Sequence, residues 1–96
     1  MFDTDREILT YTYFEKSNHD GYWYWHTEAK NHEIVGDGAE GYADFTDCLK
    51  GFFIQQGVDI NNAQMKSDYS SIDNLTKTKY AVYKYAPRKE KEEKES

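Results

Sequence analysis

The stretch Tyr22-Trp23-Tyr24-Trp25-His26-Thr27-Glu28-Ala29 narrows the choice of fold more than any other part of this chain. Successive side chains of an extended strand point to opposite faces. Trp23, Trp25, Thr27 and Ala29 then share one face, and Tyr22, Tyr24, His26 and Glu28 share the other. The indole face calls for a cover, while the opposite face is amphipathic rather than plainly polar. Ser17-Asn18-His19-Asp20-Gly21 precedes this strand as a dense cluster of turn formers, and Asp-Gly is a strong hairpin signal. Lys30-Asn31-His32 follows as a second tight turn. With an alternating, β-rich run from Ile8 to Phe14 upstream and a short Glu33 to Gly36 strand downstream, the pattern predicts a three-stranded antiparallel meander.

Gly36, Gly38 and Gly41 break up the next segment into a loop, and a helix follows. Asp44 is suited to its N-cap, and Asp47 three residues on resembles a capping box with the shorter acid. Phe45, Cys48, Leu49, Phe52 and Phe53 lie on one helical face. Gln55-Gln56 ends the helix, with Gly57 in place as the C′ residue. Residues 58–76 scatter a few apolar side chains among turn formers and suggest at most one helical turn near 70–75. Alternation returns from Thr78 to Tyr85, where Tyr80, Val82 and Lys84 oppose Lys79, Ala81, Tyr83 and Tyr85. Pro87 stops this strand, and residues 88–96 are entirely charged or polar, as in a disordered tail. The expected fold class is α+β: a three-stranded antiparallel meander, one helix packed on the sheet, and a C-terminal fourth strand. It forms one domain over residues 1–87.

Composition limits what such a domain can do. The chain has 96 residues, enough for one domain. Aromatic residues make up 17% of it against 38% for all hydrophobic types, so a few large rings must build the core. The formal net charge of −6 argues against direct binding to nucleic acid or to an anionic membrane, where cationic side chains neutralise phosphate. It is compatible with a partner protein that has a basic surface, and equally with plain solubility. No run approaches the ~20 apolar residues of a membrane span, and the acidic N-terminal stretch does not read as a signal peptide. A single cysteine, Cys48, allows no internal disulfide and suits a reducing compartment. A cytoplasmic location is the expectation, and on it the Asn74-Leu75-Thr76 sequon has no role.

The motifs from Tyr11 onward resemble those of a known family. Tyr11-Thr12-Tyr13-Phe14, Gly21-Tyr22-Trp23-Tyr24-Trp25, Ala29-Lys30-Asn31, Glu33-Ile34-Val35 and Glu40-Gly41-Tyr42 follow, in order and spacing, the pattern of the YegP-like small domains of unknown function. The Glu-Gly-Tyr element before the helix is the most specific of these. The resemblance spans about residues 11–57 and implies a sheet with a helix packed across it. Family domains occur as tandem repeats or as single copies that pair, so a homodimer is implied for this single copy. The chain departs from the pattern at Asp37-Gly38, where the family often has a serine. It departs again on the outward positions of the second strand, where Tyr22, Tyr24 and His26 stand in place of alternating arginines. The family brings no catalytic residues to carry over.

No residue pattern points to catalysis. His19, His26 and His32 cluster near one hairpin, and His26 and Glu28 share a strand face. No HExxH or CxxC spacing accompanies them, which favours solvent-exposed hairpin residues over metal ligands. Cys48 lies on the apolar helix face and reads as a small buried hydrophobe. The glycines at 36, 38 and 41 have acids between them and no following Lys-Ser/Thr, unlike a phosphate loop. The sequence therefore assigns no catalytic, cofactor-binding or metal-binding residue.

What stands out is a candidate interaction surface on the sheet face away from the helix. It comprises Tyr11, Tyr13, Tyr22, Tyr24, His26, Tyr83 and Tyr85, with the acids Asp37 and Glu40 in the adjoining loop. Tyrosine is enriched at protein interfaces. The expectation is a non-enzymatic protein-interaction module that self-associates through a sheet edge or this face. The alternative is a small acidic phage-type inhibitor that mimics nucleic acid and binds a host protein.

Overall fold

In a computed structural model, residues 7–38, 40–56 and 69–86 are described. They form β1 (Ile8–Lys16), β2 (Trp23–Ala29), β3 (Ile34–Asp37), α1 (Phe45–Gln55), β4 (Asp73–Thr76) and β5 (Lys79–Tyr85). The strands make one antiparallel sheet in the order β3-β2-β1-β5-β4. The fold is α+β, as expected, with one strand more. The segment read as a helical turn near 70–75 instead contributes β4, which pairs with β5 around a turn at Lys77-Thr78. The expected Gly57 cap and the tail at 88–96 lie outside the described residues. No helix among the described residues is long and apolar enough to cross a membrane.

Local chemistry explains the turns. Between β1 and β2, the Ser17 and Tyr22 backbones are joined at 2.8 Å, and Gly21 takes a positive φ of 77° that suits glycine. The Asp20 carboxylate accepts the Tyr22 N–H at 2.9 Å and the Tyr24 phenol at 2.6 Å, which locks the hairpin end to the strand. Between β2 and β3, the His32 N–H reaches the Ala29 carbonyl at 2.8 Å, with His32 itself at φ 70°. The Asn31 side chain accepts the Glu33 N–H at 3.1 Å.

The helix and sheet meet through rings. Phe14, Trp23, Trp25, Cys48, Phe52, Phe53 and Val82 form the buried cluster, with Tyr42, Phe45, Leu49, Tyr69 and Tyr80 packed against it. Phe45 stacks on Tyr80 at 4.3 Å and lies 5.3 Å from Trp23 and 5.6 Å from Phe14. Phe52 makes edge contacts with Trp25 at 5.1 Å and with Phe14 at 5.5 Å. Such pairs each add about 0.5–1.5 kcal/mol beyond area burial.

Asp44 does occupy the N-cap with extended backbone, but its side chain makes no capping bond. The capping-box reading is corrected accordingly, and the first turn closes through the Cys48 N–H to the Asp44 carbonyl at 3.1 Å. Asp47 still sits in the first turn, where the helix dipole favours an acid.

Beyond β3 the chain keeps following β2. The Gly38 N–H donates to the Trp25 carbonyl at 2.9 Å, and Trp23 and Tyr42 exchange backbone bonds at 2.7 and 2.9 Å. Two glycines permit the packing. A Cβ at Gly38 would lie 2.7 Å from Cδ1 and 2.8 Å from Cε2 of the buried Trp25 ring. One at Gly51, in the middle of α1, would lie 2.7 Å from Cζ of Tyr42. The tyrosine of the Glu-Gly-Tyr element therefore lies against the helix at a position without a side chain.

The Trp25 ring is locked in the core, whereas the Tyr42 phenol can swing aside. Gly38→Ala is expected to lower stability by about 1–3 kcal/mol. Gly51→Ala is expected to be far milder, because the gain in helix propensity of about 1 kcal/mol offsets the displacement. Urea unfolding midpoints of the two variants check this, and equal losses would refute it.

Candidate functional site

The helix covers one face of the sheet, and strand registers define what stands on the other. One row crosses all five strands: Asp37, His26, Tyr13, Ala81 and Asp73 are paired in sequence. A neighbouring row runs Ile34, Glu28, Tyr11 and Tyr83. Direct cross-strand neighbours have Cβ atoms close enough to pack, and these rings do. Tyr11 meets Tyr83 edge-on at 5.5 Å, Tyr13 lies 5.5 Å from His26, and the Lys79 ammonium stands 5.0 Å over the Tyr13 ring. Ala81, the small residue between Tyr13 and Asp73, is fully buried.

Glu28 ties two imidazoles to this face. Its carboxylate pairs with His26 Nε2 at 2.9 Å and with His32 Nδ1 at 3.4 Å. The bond with His26 chiefly holds the carboxyl below its ordinary range; partial burial opposes this and the bond with His32 adds to it. Burial is the main cause that raises the phenols of Tyr13 and Tyr83, with Glu28 adding for Tyr13 and Asp73 for Tyr83. Both phenols stay protonated at neutral pH and can donate a hydrogen bond.

The structure thus gathers Tyr11, Tyr13, His26 and Tyr83 from the expected surface and sets Asp37, also expected there, at the end of their row. Tyr24 shares the face near the hairpin, where its phenol is raised chiefly by the bond it donates to Asp20. Tyr22 lies just before β2 and is 48% exposed, and Glu40 is exposed in the loop before α1. Tyr85 is 5% exposed and therefore not accessible to a partner, which removes it from that surface. Lys79 and Glu28 were legible from alternation, since each is spaced by twos from a tyrosine or histidine of the face. Asp73 carried no such signal because β4 is short and polar. Among the described residues no group of three or more His, Cys, Asp or Glu is arranged to hold a metal ion.

Cys48 is fully buried on α1, and burial pushes its thiol up to about 12. The thiolate is the reactive form, so this group is suppressed as a nucleophile.

Residues 18–52 match the family model described as "Domain of unknown function (DUF1508)". The match runs from the β1–β2 hairpin through β2 and β3 to Phe52 in α1, and lies within the stretch that resembles the YegP-like small domains. No curated protein and no solved structure matches the chain.

Two measurements follow from these charges. A carboxylate with a depressed folded pKa adds stability above its ordinary pKa and loses it as pH falls through the folded value. Glu28→Gln is expected to destabilise at pH 7, and the difference from the parent should shrink only as pH falls below the ordinary carboxylate range, through the depressed folded value. A constant difference across that range in chemical denaturation would show that Glu28 acts sterically. The raised Cys48 thiol is expected to resist a thiol-labelling reagent at pH 8 until urea unfolds the chain. Rapid labelling of the folded protein would contradict its burial.

Proposed function

We propose that this chain is a non-enzymatic protein-interaction module that pairs with a second copy of itself through the tyrosine face of the sheet. The carrying observation is the cross-strand surface of Tyr11, Tyr13, His26 and Tyr83 on the side that α1 leaves uncovered. Tyrosines offer large rigid contact area at low entropic cost, and their phenols remain available to donate across an interface. The absence of any catalytic motif in the sequence supports the non-enzymatic reading.

Face association is favoured over edge association by the state of the two edges. The pairing of β2 with β3 shifts register between Thr27 and Glu28, which leaves Val35 as an extra residue. The pairing of β4 with β5 shifts between Asn74 and Thr76, which leaves out Leu75. Bulges of this kind twist an edge and blunt strand addition. Asp37 and Asp73 also stand at the two ends of the central row, where they disfavour extending the sheet with a second copy's like charges.

Light scattering behind size exclusion, over a dilution series, tests this reading. The expected species is about twice the 11.3 kDa chain. Replacing Tyr11 and Tyr83 together by Ser should give monomer with an unchanged circular dichroism spectrum, whereas Val35→Lys on the β3 edge should leave the dimer intact. A parent that is monomeric at every concentration would sink the pairing and turn attention to a basic partner protein for the acidic surface. A dimer broken by Val35→Lys alone would move the interface to the edge.

A further inference from the structure

The helix does not cover all of the face it packs on. Its rings occupy the part of the sheet that carries Phe14, Trp23 and Tyr80. Further along the same face, β1 and β2 present Thr10, Thr12 and Thr27 instead of rings, and Lys84 of β5 pairs with Thr10. A cavity of about 380 Å³ opens between these threonines and the C-terminal end of α1, with Gln55, Tyr69 and Lys84 among its walls. Sheet faces turned toward a helix are ordinarily apolar. Three adjacent threonines under a cavity are poor core packing.

The threonine hydroxyls, the Gln55 amide and Lys84 can each donate a hydrogen bond into this cavity. Thr12 is 2% exposed, and its hydroxyl shares one hydrogen bond with that of Thr27 at 2.8 Å. Each hydroxyl carries a proton and their mutual bond uses only one, so the pair retains a donor. Lys84 is half-buried. Its ammonium stands 5.9 Å from the Tyr69 ring, and no ion pair among the described residues includes it. A ring face compensates only in part for a cation partly withdrawn from water. Asp37 also borders the cavity, but its pairing with His26 directs its side chain to the opposite face of the sheet.

The geometry points to a binding site for a small organic monocarboxylate in this cleft. Lys84 would receive the carboxylate, the threonine hydroxyls and the Gln55 amide would complete its hydrogen bonds, and Phe52 would flank its apolar body. One cation in a chain of net charge −6 suits a single negative charge better than a dianion. The site lies on the other side of the sheet from the tyrosine face and does not depend on that face pairing.

Titration of the full ¹⁵N-labelled chain with benzoate, followed by amide spectra, tests the assignment, with acetate and inorganic phosphate as separate arms at matched ionic strength. Benzoate should give saturable shifts at Thr10, Thr12, Thr27 and the Gln55 side chain, and acetate weaker ones. Phosphate should not saturate these signals. Lys84→Met keeps the aliphatic stem beside Tyr69 and should weaken benzoate by about tenfold. Thr27→Val should weaken it as well, and that variant decides the test where the amide dispersion of Lys84→Met reveals a disturbed fold. Replacing Tyr11 and Tyr83 by Ser should leave the titration unchanged, which separates this site from the dimer. Absence of saturable shifts, equal benzoate affinity in a folded Lys84→Met protein, or tighter binding of phosphate would each overturn the proposal.

Discussion

Phe45 touches one ring from each of three strands: Phe14 of β1, Trp23 of β2 and Tyr80 of β5. Among the described residues α1 is the one helix, and it binds together strands that are remote in sequence. This first residue of α1 does much of that work. The stack on Tyr80 brings the C-terminal strand under the helix, and the contacts with Phe14 and Trp23 seat the helix on the N-terminal hairpin. Given that anchor, the second half of α1 follows along β1 and β2, with Phe52 over Trp25 and Phe14. The two unlike faces of the sheet, one clad in rings and one open, result from where this helix is held.

Much of this arrangement was legible in the residues. The alternation of Trp23 and Trp25 with Tyr24 and His26 identified both the strand and its buried side, because a period of two leaves no other assignment once the indoles must be covered. The helix face was equally clear from Phe45, Cys48, Leu49, Phe52 and Phe53. What escaped was non-local. Asp73-Asn74-Leu75-Thr76 has no strand propensity to speak of and becomes β4 only because the edge of β5 is there to pair with. Asp44 has the right residue type for a capping bond, yet its side chain does not make one. Tyr85 follows the same alternation as Tyr83 but is buried at the sheet's end beside Ile8, where a register shift breaks the simple face rule.

The open face also shows why an acidic chain can carry aromatic surface without conspicuous apolar exposure. Its rings are half-buried against one another, and its charges are internally matched: Glu28 between two imidazoles, Lys79 over Tyr13. Such a surface is already ordered before any partner arrives, which lowers the entropic cost of association. Of the large apolar residues most exposed on the strands, Ile34 ends the row of Glu28, Tyr11 and Tyr83 at the β3 edge, and Val35 is the extra residue of the β3 bulge.

The position of β5 between β1 and β4 has a consequence for how the polypeptide acquires its structure. The family-matched segment, residues 18–52, contains neither β1 nor β5. During synthesis, β1 can pair with β2 early, but its other side stays open until Tyr80 and the residues after it have emerged. A nascent chain that ends before β5 thus displays the unpaired hydrogen-bonding groups of what will be the central strand, together with the rings of Phe14 and Phe45 that Tyr80 should cover. Closure of the sheet from the last strand makes folding a late, cooperative event governed by long-range contacts. The recognisable motif thus forms only part of a sheet whose centre is completed by β1 and β5, both outside the matched residues.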